Sequence, residues 1–105
     1  RAAPVRAVHV FDFDGTLVCT PGPADGDRLY RQATRCRWPF AGWWGRAESL
    51  SPPLPVPFPP GPAMEAWRQS AGRVGTLAVM MTGRLGTLKA PVEAILAAHG
   101  VIPDR

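Results

Sequence analysis

The sequence predicts an α/β fold, and two strand-length apolar runs are the main evidence for it. Residues 8–13 are rich in β-branched and aromatic side chains, and residues 74–81 form a second apolar run. Residues 63–71 and 91–99 carry apolar side chains at helical spacing, and each stretch is followed or closed by glycine. Apolar strands that alternate with amphipathic helices are typical of a parallel sheet covered by helices.

Two carboxylates stand where the first strand is predicted to end. Asp12 and Asp14 are followed directly by Gly15 and Thr16. In open α/β sheets ligands bind beyond the carboxyl ends of the strands, so this position is the candidate site. A carboxylate is a workable nucleophile toward phosphorus, because it is ionised at neutral pH and forms an acyl phosphate that water later hydrolyses. Two adjacent carboxylates repel unless a cation lies between them, which favours a bound Mg²⁺.

Asp12-x-Asp14-Gly15-Thr16 resembles the first motif of the haloacid dehalogenase superfamily of phosphohydrolases and phosphotransferases. The resemblance implies a Rossmann-like, three-layer parallel sheet with a small insert after the first strand. It implies that Asp12 is the nucleophile and a Mg²⁺ ligand, and that Asp14 is the general acid/base, with its main-chain carbonyl also on the metal. The N–H groups of Gly15 and Thr16 are expected to face a phosphoryl oxygen. A plain Asp-Gly turn and the metal-binding Asp-x-Asp of nucleotide-sugar transferases remain the alternatives at this stage.

The second apolar run ends in Thr82-Gly83-Arg84, which resembles the second motif of the same superfamily. A threonine hydroxyl can donate to a phosphoryl oxygen while it stays neutral. Because neighbouring parallel strands place their ends at one edge of a sheet, the two motifs support each other. We predict that Thr82 is catalytic and that Gly83 and Arg84 bind phosphate. A turn threonine and a solvent-facing arginine are the structural alternatives.

Further matches indicate a narrower family. Thr20-Pro21-x-Pro23 and Gly42-Trp43-Trp44, together with the two strand-end motifs, resemble the dehalogenase-type phosphatase domain of the fungal Swiss Army Knife RNA repair proteins. This resemblance implies a magnesium-dependent phosphatase that acts on RNA ends. The alternative is a catalytically degenerate or truncated module that binds nucleic acid or protein.

The 105 residues are few for such a fold. A βα unit takes on the order of 30 residues, so a five-stranded doubly wound sheet needs roughly 150. The third-motif lysine has no convincing counterpart, since Lys89 follows Thr82 too closely. The acidic residues after Thr82, Glu93 and Asp104, do not form the paired-acid pattern that completes the Mg²⁺ site. We therefore expect a partial domain whose missing groups lie beyond Arg105.

We predict one partial domain over residues 1–105, with core elements at about residues 5–19 and 62–105 and a Trp- and Pro-rich insert at about residues 20–61. A short helix is predicted over residues 25–34. Residues 51–62 contain seven prolines and are expected to run extended across the surface, because proline lacks an N–H donor and favours polyproline II.

Three of the four tryptophans stand within residues 38–44 of the insert. Such a cluster is either a small hydrophobic core or an aromatic platform on which a base stacks. Packing is the default interpretation, and a substrate-facing role for one of these tryptophans is the alternative.

Composition indicates the class of partner. The chain carries 12 basic and 8 acidic residues, and its arginine-rich net charge of +4 suits a phosphorylated polymer. An arginine bias that reflects genomic base composition is the alternative. Cys19 and Cys36 lack metal-site or redox-motif spacing, so we expect reduced thiols in an intracellular protein, cytoplasmic or nuclear. The longest uninterrupted apolar stretch, residues 77–81, is too short to cross a bilayer, so no membrane contact is predicted.

Overall fold

The computed structural model describes residues 4–84 and 86–103. Within these residues the chain is a small α/β domain with a two-stranded parallel sheet and three α-helices, which confirms the predicted class. The strands are β1 (Ala7–Asp12) and β2 (Thr76–Met81). The helices are α1 (Pro23–Thr34), α2 (Met64–Ala71) and α3 (Lys89–Ala98), and short 3₁₀ helices occupy Ala47–Leu50 and Gly86–Leu88.

The register of the sheet brings the two strand ends together. Ala7 lies opposite Thr76, and Asp12 lies opposite Met81. Because the strands are parallel and end at paired residues, the turn after β1 and Thr82 after β2 leave the sheet at the same edge. The adjacency expected from the two sequence motifs is therefore present.

One face of the sheet packs against α2. The Phe11 ring meets the Trp67 ring edge-on, with 5.3 Å between their centroids, and His9 Nδ1 contacts the buried hydroxyl of Ser70. On the opposite face Val8 and Val10 are both more than half exposed. In the part of the chain described here, the sheet thus has two strands and a helix layer on one face, and a larger three-layer sheet remains a proposal.

Helix and strand boundaries differ slightly from the predicted ones. Helix α1 starts at Pro23, two residues before the predicted start, because proline is pre-organised for the first turn and gives up no hydrogen bond there. Helix α3 starts at Lys89 and accommodates Pro91 within its first turn for the same reason. Strand β2 starts at Thr76, after Gly75 with a φ of 82°.

The expectation of an extended surface run over residues 51–62 is wrong. The segment folds into turns, in which the N–H of Leu54 donates to Ser51 O at 3.2 Å and the N–H of Phe58 donates to Pro55 O at 2.9 Å. Leu54 and Phe58 are 3% and 5% exposed and belong to the main core. The alternating apolar residues keep their N–H donors and bury their side chains, so hydrophobic burial outweighs the polyproline preference of the prolines.

The insert and the sheet elements share one hydrophobic core. Helix α1 approaches this core through Gly26, which lies against the buried indole of Trp43. Among the described residues, no helix has the length and apolar character needed to cross a membrane. The core includes residues from the turn after β1, the insert, α2, β2, α3 and the segment after α3: Phe13, Leu17, Val18, Trp43, Leu50, Leu54, Phe58, Met64, Trp67, Ala78, Val92, Ile95, Leu96 and Val101.

Candidate functional site

The candidate site lies where β1 and β2 end. Asp12 is the last residue of β1 and is exposed, and its Oδ1 accepts the N–H of Phe13 at 2.8 Å. Thr82 and Gly83 follow β2 directly. Two cavities open here, one of about 530 Å³ and one of about 380 Å³, and both are lined by Asp12 and Gly83. The first also contacts Val10, Met81 and Thr82, and the second also contacts Asp14, Trp44 and Arg84.

The turn after β1 is closed by its own backbone hydrogen bonds. Gly15 has a φ of 72°, a left-handed conformation that glycine adopts without strain. Its N–H donates to Val18 O at 2.8 Å, and the N–H of Thr16 donates to Phe13 O at 3.3 Å. The two amides are therefore used within the turn, and the phosphate contacts predicted for Gly15 and Thr16 stay predictions.

Asp14 forms an ion pair with Arg84. The guanidinium Nη2 donates to Asp14 Oδ1 at 2.7 Å, and Nε lies 3.1 Å from Oδ1 and 3.0 Å from Oδ2. The Thr20 hydroxyl also donates to Oδ1, at 2.7 Å. The Asp14 side chain keeps 20% of its surface exposed, so the paired carboxylate still reaches the cavity.

Arg84 reaches back to the insert as well. Its Nη1 donates to Trp44 O at 3.0 Å and to Ser49 Oγ at 2.8 Å, and its guanidinium lies 5.1 Å from the centroid of the Trp44 ring. The Arg84 side chain is 1% exposed. The phosphate contact predicted for Arg84 stays a prediction, and in this structure the guanidinium instead joins Asp14 to the insert.

The tryptophan cluster divides into two roles. Trp38 and Trp43 pack against each other, with 4.6 Å between ring centroids, and the Trp43 indole N–H donates to Pro21 O at 3.0 Å. Trp44 is 45% exposed and lines the smaller cavity beside Asp12 and Asp14. The packing interpretation is confirmed for Trp38 and Trp43, and a substrate-facing role for Trp44 stays a prediction.

Three further residues lie near the site. Trp44 was predicted only as one of the tryptophans that could face a substrate, and Thr20 belongs to a segment that carries the narrower family resemblance but received no role from the sequence. Ser49 had no signal in the sequence, because a serine in an irregular loop is ordinary. Its contact with Arg84 joins positions 35 residues apart, which only the tertiary fold brings together.

The oxygen donors at the strand ends fit part of a magnesium site. Mg²⁺ is usually held by one or two carboxylates, with water and substrate phosphate supplying the remaining oxygens. Asp12 offers an exposed carboxylate, and the main-chain carbonyl of Asp14 lies two residues further along. Within residues 4–84 and 86–103, no group of three or more His, Cys, Asp or Glu side chains is arranged to hold a metal ion. In the site that the motif predicts, Asp12 and the Asp14 carbonyl would be the protein ligands of Mg²⁺.

Comparison with curated proteins finds similarity to a yeast protein. The chain is 27% identical over 93 residues to the uncharacterized protein YMR265C of Saccharomyces cerevisiae. The match covers 76% of this chain and 20% of the yeast protein, so the chain spans about a fifth of the length of that relative. No family model matches the chain, and no solved structure matches it. The assignment of function therefore depends on the motifs and on the geometry of the site.

Proposed function

We propose that this chain carries a magnesium-dependent phosphohydrolase site of the haloacid dehalogenase type, which acts through an aspartyl-phosphate intermediate. The observation that supports this most is the exposed carboxylate of Asp12 at the carboxyl end of β1, on a cavity shared with Thr82 and Gly83. In this proposal β1 and β2 are two strands of a larger, three-layer Rossmann-like sheet, and the protein works inside the cell with Cys19 and Cys36 as free thiols.

The proposed reaction divides hydrolysis into two steps. Asp12 attacks phosphorus, the bond from phosphorus to the leaving oxygen breaks, and Asp14, which must enter this step in its protonated form, donates its proton to that oxygen. Asp14 then removes a proton from water, whose oxygen attacks phosphorus, so that inorganic phosphate leaves and Asp12 is restored. When bound, Mg²⁺ supplies positive charge opposite the phosphoryl oxygens.

Thr82 suits the role of phosphoryl donor. Its Oγ1 accepts the N–H of Arg84 at 3.2 Å, which leaves the hydroxyl proton free to donate. Gly83 lies on both cavities, and the space where a Cβ would stand is empty within 4 Å. A phosphoryl group can therefore approach the Gly83 backbone closely, and we assign phosphate binding to Thr82 and Gly83.

RNA ends are the proposed substrate. The chain has a net charge of +4, which favours a polyanion, and the half-exposed Trp44 offers a flat ring beside Asp12 on which a base can stack. The family resemblance points to the same substrate class.

A module that binds nucleic acid or protein without turnover is the second candidate. The ion pair of Asp14 with Arg84 favours it, because a carboxylate held by a buried guanidinium is also what a purely structural pair looks like. The two candidates differ in whether Asp12 is chemically active.

Hydrolysis assays separate the candidates. The test measures release of phosphate from an aryl phosphate and from 3′- and 5′-phosphorylated RNA oligonucleotides, with and without Mg²⁺. It uses the 105-residue chain, a longer chain that contains it, and Asp12→Asn in each. Magnesium-dependent turnover that is lost in Asp12→Asn supports the phosphohydrolase. RNA binding without turnover in either chain contradicts it and supports the binding module.

A further inference from the structure

The two carboxylate oxygens of Asp14 have different surroundings. Oδ1 accepts hydrogen bonds from Arg84 Nη2 at 2.7 Å, from Arg84 Nε at 3.1 Å and from the Thr20 hydroxyl at 2.7 Å. Among the described residues, Oδ2 accepts only from Arg84 Nε, at 3.0 Å. One oxygen is therefore saturated and the other has room for a further partner, since a carboxylate oxygen has two lone pairs.

Arg84 is held in place from its other side. Nη1 donates to Trp44 O and to Ser49 Oγ, and the Ser49 hydroxyl donates in turn to Arg46 O at 2.7 Å. Ser49 is fully buried, and the Arg84 side chain is 1% exposed. A planar guanidinium with donors on three nitrogens makes these contacts at fixed angles, which the single ammonium of lysine does not reproduce.

We propose that Arg84 and Thr20 are positioning residues for Asp14. Together they hold Oδ1 so that Oδ2 is the oxygen that transfers the proton to the leaving group and from water. Arg84 also fastens residues 44–49 of the insert to the end of β2, so the position of the insert is coupled to the orientation of Asp14. This inference rests on the proposed phosphohydrolase function and extends it.

The contacts of Arg84 argue against a role as a direct phosphate ligand. Nε, both N–H groups of Nη1 and one N–H of Nη2 already donate to protein oxygens. A buried group of this kind loses hydrogen bonds if it turns toward a substrate, and each lost bond in a buried site is costly. Arg84 therefore affects the proposed reaction by orienting Asp14.

Kinetic constants of matched variants test the positioning role. Arg84→Lys keeps the positive charge but loses the planar guanidinium that donates to both Asp14 oxygens. We therefore expect kcat to fall about 100-fold while KM changes less than about threefold. Thr20→Val should lower kcat about tenfold, and Thr20→Ser, which keeps the hydroxyl, should restore it. Arg28→Lys is the control, because its exposed pair with Asp25 in α1 makes no contact with Asp14 or Arg84. Thermal unfolding of each variant identifies those that fail to fold.

A second variant covers the case in which Arg84→Lys does not fold. Ser49→Ala removes one acceptor of Nη1 and leaves Asp14 and the cavity untouched. We expect it to lower kcat with little change in KM, and to be less than additive with Thr20→Val because both act on Asp14. Normal kcat in folded Arg84→Lys and Ser49→Ala would overturn the inference, as would a failure of Thr20→Ser to restore activity.

Hydrogen exchange separates failure of this inference from failure of the proposed function. If the unsubstituted protein shows no turnover, the proposed function fails, and amide exchange still measures the link between Arg84 and the insert. The N–H groups of Arg46 and Ser49 donate within the insert, and that of Trp67 donates within the start of α2. In Arg84→Lys we expect faster amide exchange at positions 46 and 49 and an unchanged exchange rate at position 67. Unchanged exchange at positions 46 and 49 would overturn the inference.

Discussion

At the scale of single residues, two carboxylates only two positions apart have opposite surroundings. Asp12 ends β1 with an exposed carboxylate that accepts one backbone N–H. The Asp14 carboxylate is held by an ion pair with Arg84 and a hydrogen bond from the Thr20 hydroxyl. A nucleophile needs an accessible oxygen, and an acid/base needs a fixed orientation toward one proton path. The division of roles proposed for the two residues follows from this difference.

Thr82 gives a residue-scale prediction. Thr82→Ala removes the hydroxyl that we assign to the phosphoryl group, so kcat should fall about 100-fold, the loss typical of one missing donor to a developing charge. Thr82→Ser keeps the hydroxyl and should retain most of the activity. Steady-state kinetics on an aryl phosphate measure both variants. Equal activity of the alanine and serine variants would show that the hydroxyl takes no part.

At the scale of elements, the end of the proline-rich segment supports the turn that carries Asp14. The N–H of Cys19 donates to Pro59 O and the N–H of Gly61 donates to Leu17 O, both at 2.8 Å. A short antiparallel bridge joins Val18 to Pro60. The segment therefore pairs with the chain just after the Asp12-x-Asp14 motif and limits how far that motif can move.

Gly61 gives an element-scale prediction. A Cβ there would lie 2.1 Å from Thr16 O and 2.7 Å from Thr16 C, which are backbone atoms that cannot turn aside. Gly61→Ala should lower the free energy of unfolding by about 3 kcal/mol, at the upper end of typical overpacking costs. Denaturant unfolding measures the change. Gly86→Ala is the control, because nothing lies within 4 Å of its added Cβ, and a cost as large as that of Gly61→Ala would contradict the explanation.

Gly26 gives a second prediction for the same scale. Alanine is favoured over glycine inside a helix by about 1 kcal/mol. A Cβ at position 26 of α1 would nevertheless lie 2.0 Å from the Trp43 ring, so Gly26→Ala should destabilise the protein. In a Trp43→Phe background the smaller ring leaves room, and the same change should cost less. Thermal unfolding of the four proteins checks this, and an equal cost in both backgrounds would contradict it.

At the scale of the whole molecule, the proposed function assigns different tasks to the net charge and to the site geometry. The net charge of +4 favours a polyanion over a small ester, whereas the proposed chemistry at Asp12 is the same for both. In the proposed function the charge therefore acts on substrate binding, and the strand-end residues act on the chemical step.

Salt dependence tests this separation. We expect KM for a phosphorylated RNA oligonucleotide to rise steeply with salt concentration, because bound phosphates release counterions. KM for an aryl phosphate should rise much less, and kcat should change little for either substrate. Steady-state kinetics across a salt series provide the measurement. Parallel salt dependence for the two substrates would show that the RNA chain makes no contact beyond its terminal phosphate.

Much of the framework was predictable because it depends on local pattern. The apolar runs before Asp12 and Thr82 marked both strands, and their parallel pairing followed from the expectation that both motifs meet at one edge. The helices were also found, with starts one or two residues off because proline is tolerated in a first turn. These features need no knowledge of distant contacts.

The rest depends on contacts between distant parts of the chain. The Asp14–Arg84 pair joins residues 70 positions apart, and nothing in the local sequence shows that the guanidinium meets a carboxylate instead of a phosphate. The folding of the proline-rich segment was missed because the burial of Leu54 and Phe58 is decided by the core they enter. The same holds for the tryptophans, since only the fold separates the buried Trp43 from the half-exposed Trp44.

Detection of a phosphorylated Asp12 is the most direct test of the central claim. The protein is mixed with an aryl phosphate and Mg²⁺, quenched in acid during turnover and digested, and the peptides are analysed by mass spectrometry. We predict a phosphoryl group on Asp12, absent in Asp12→Asn and reduced when Mg²⁺ is removed. Turnover with no acyl phosphate, or with the phosphoryl group on another residue, would contradict the assignment of Asp12 as the nucleophile.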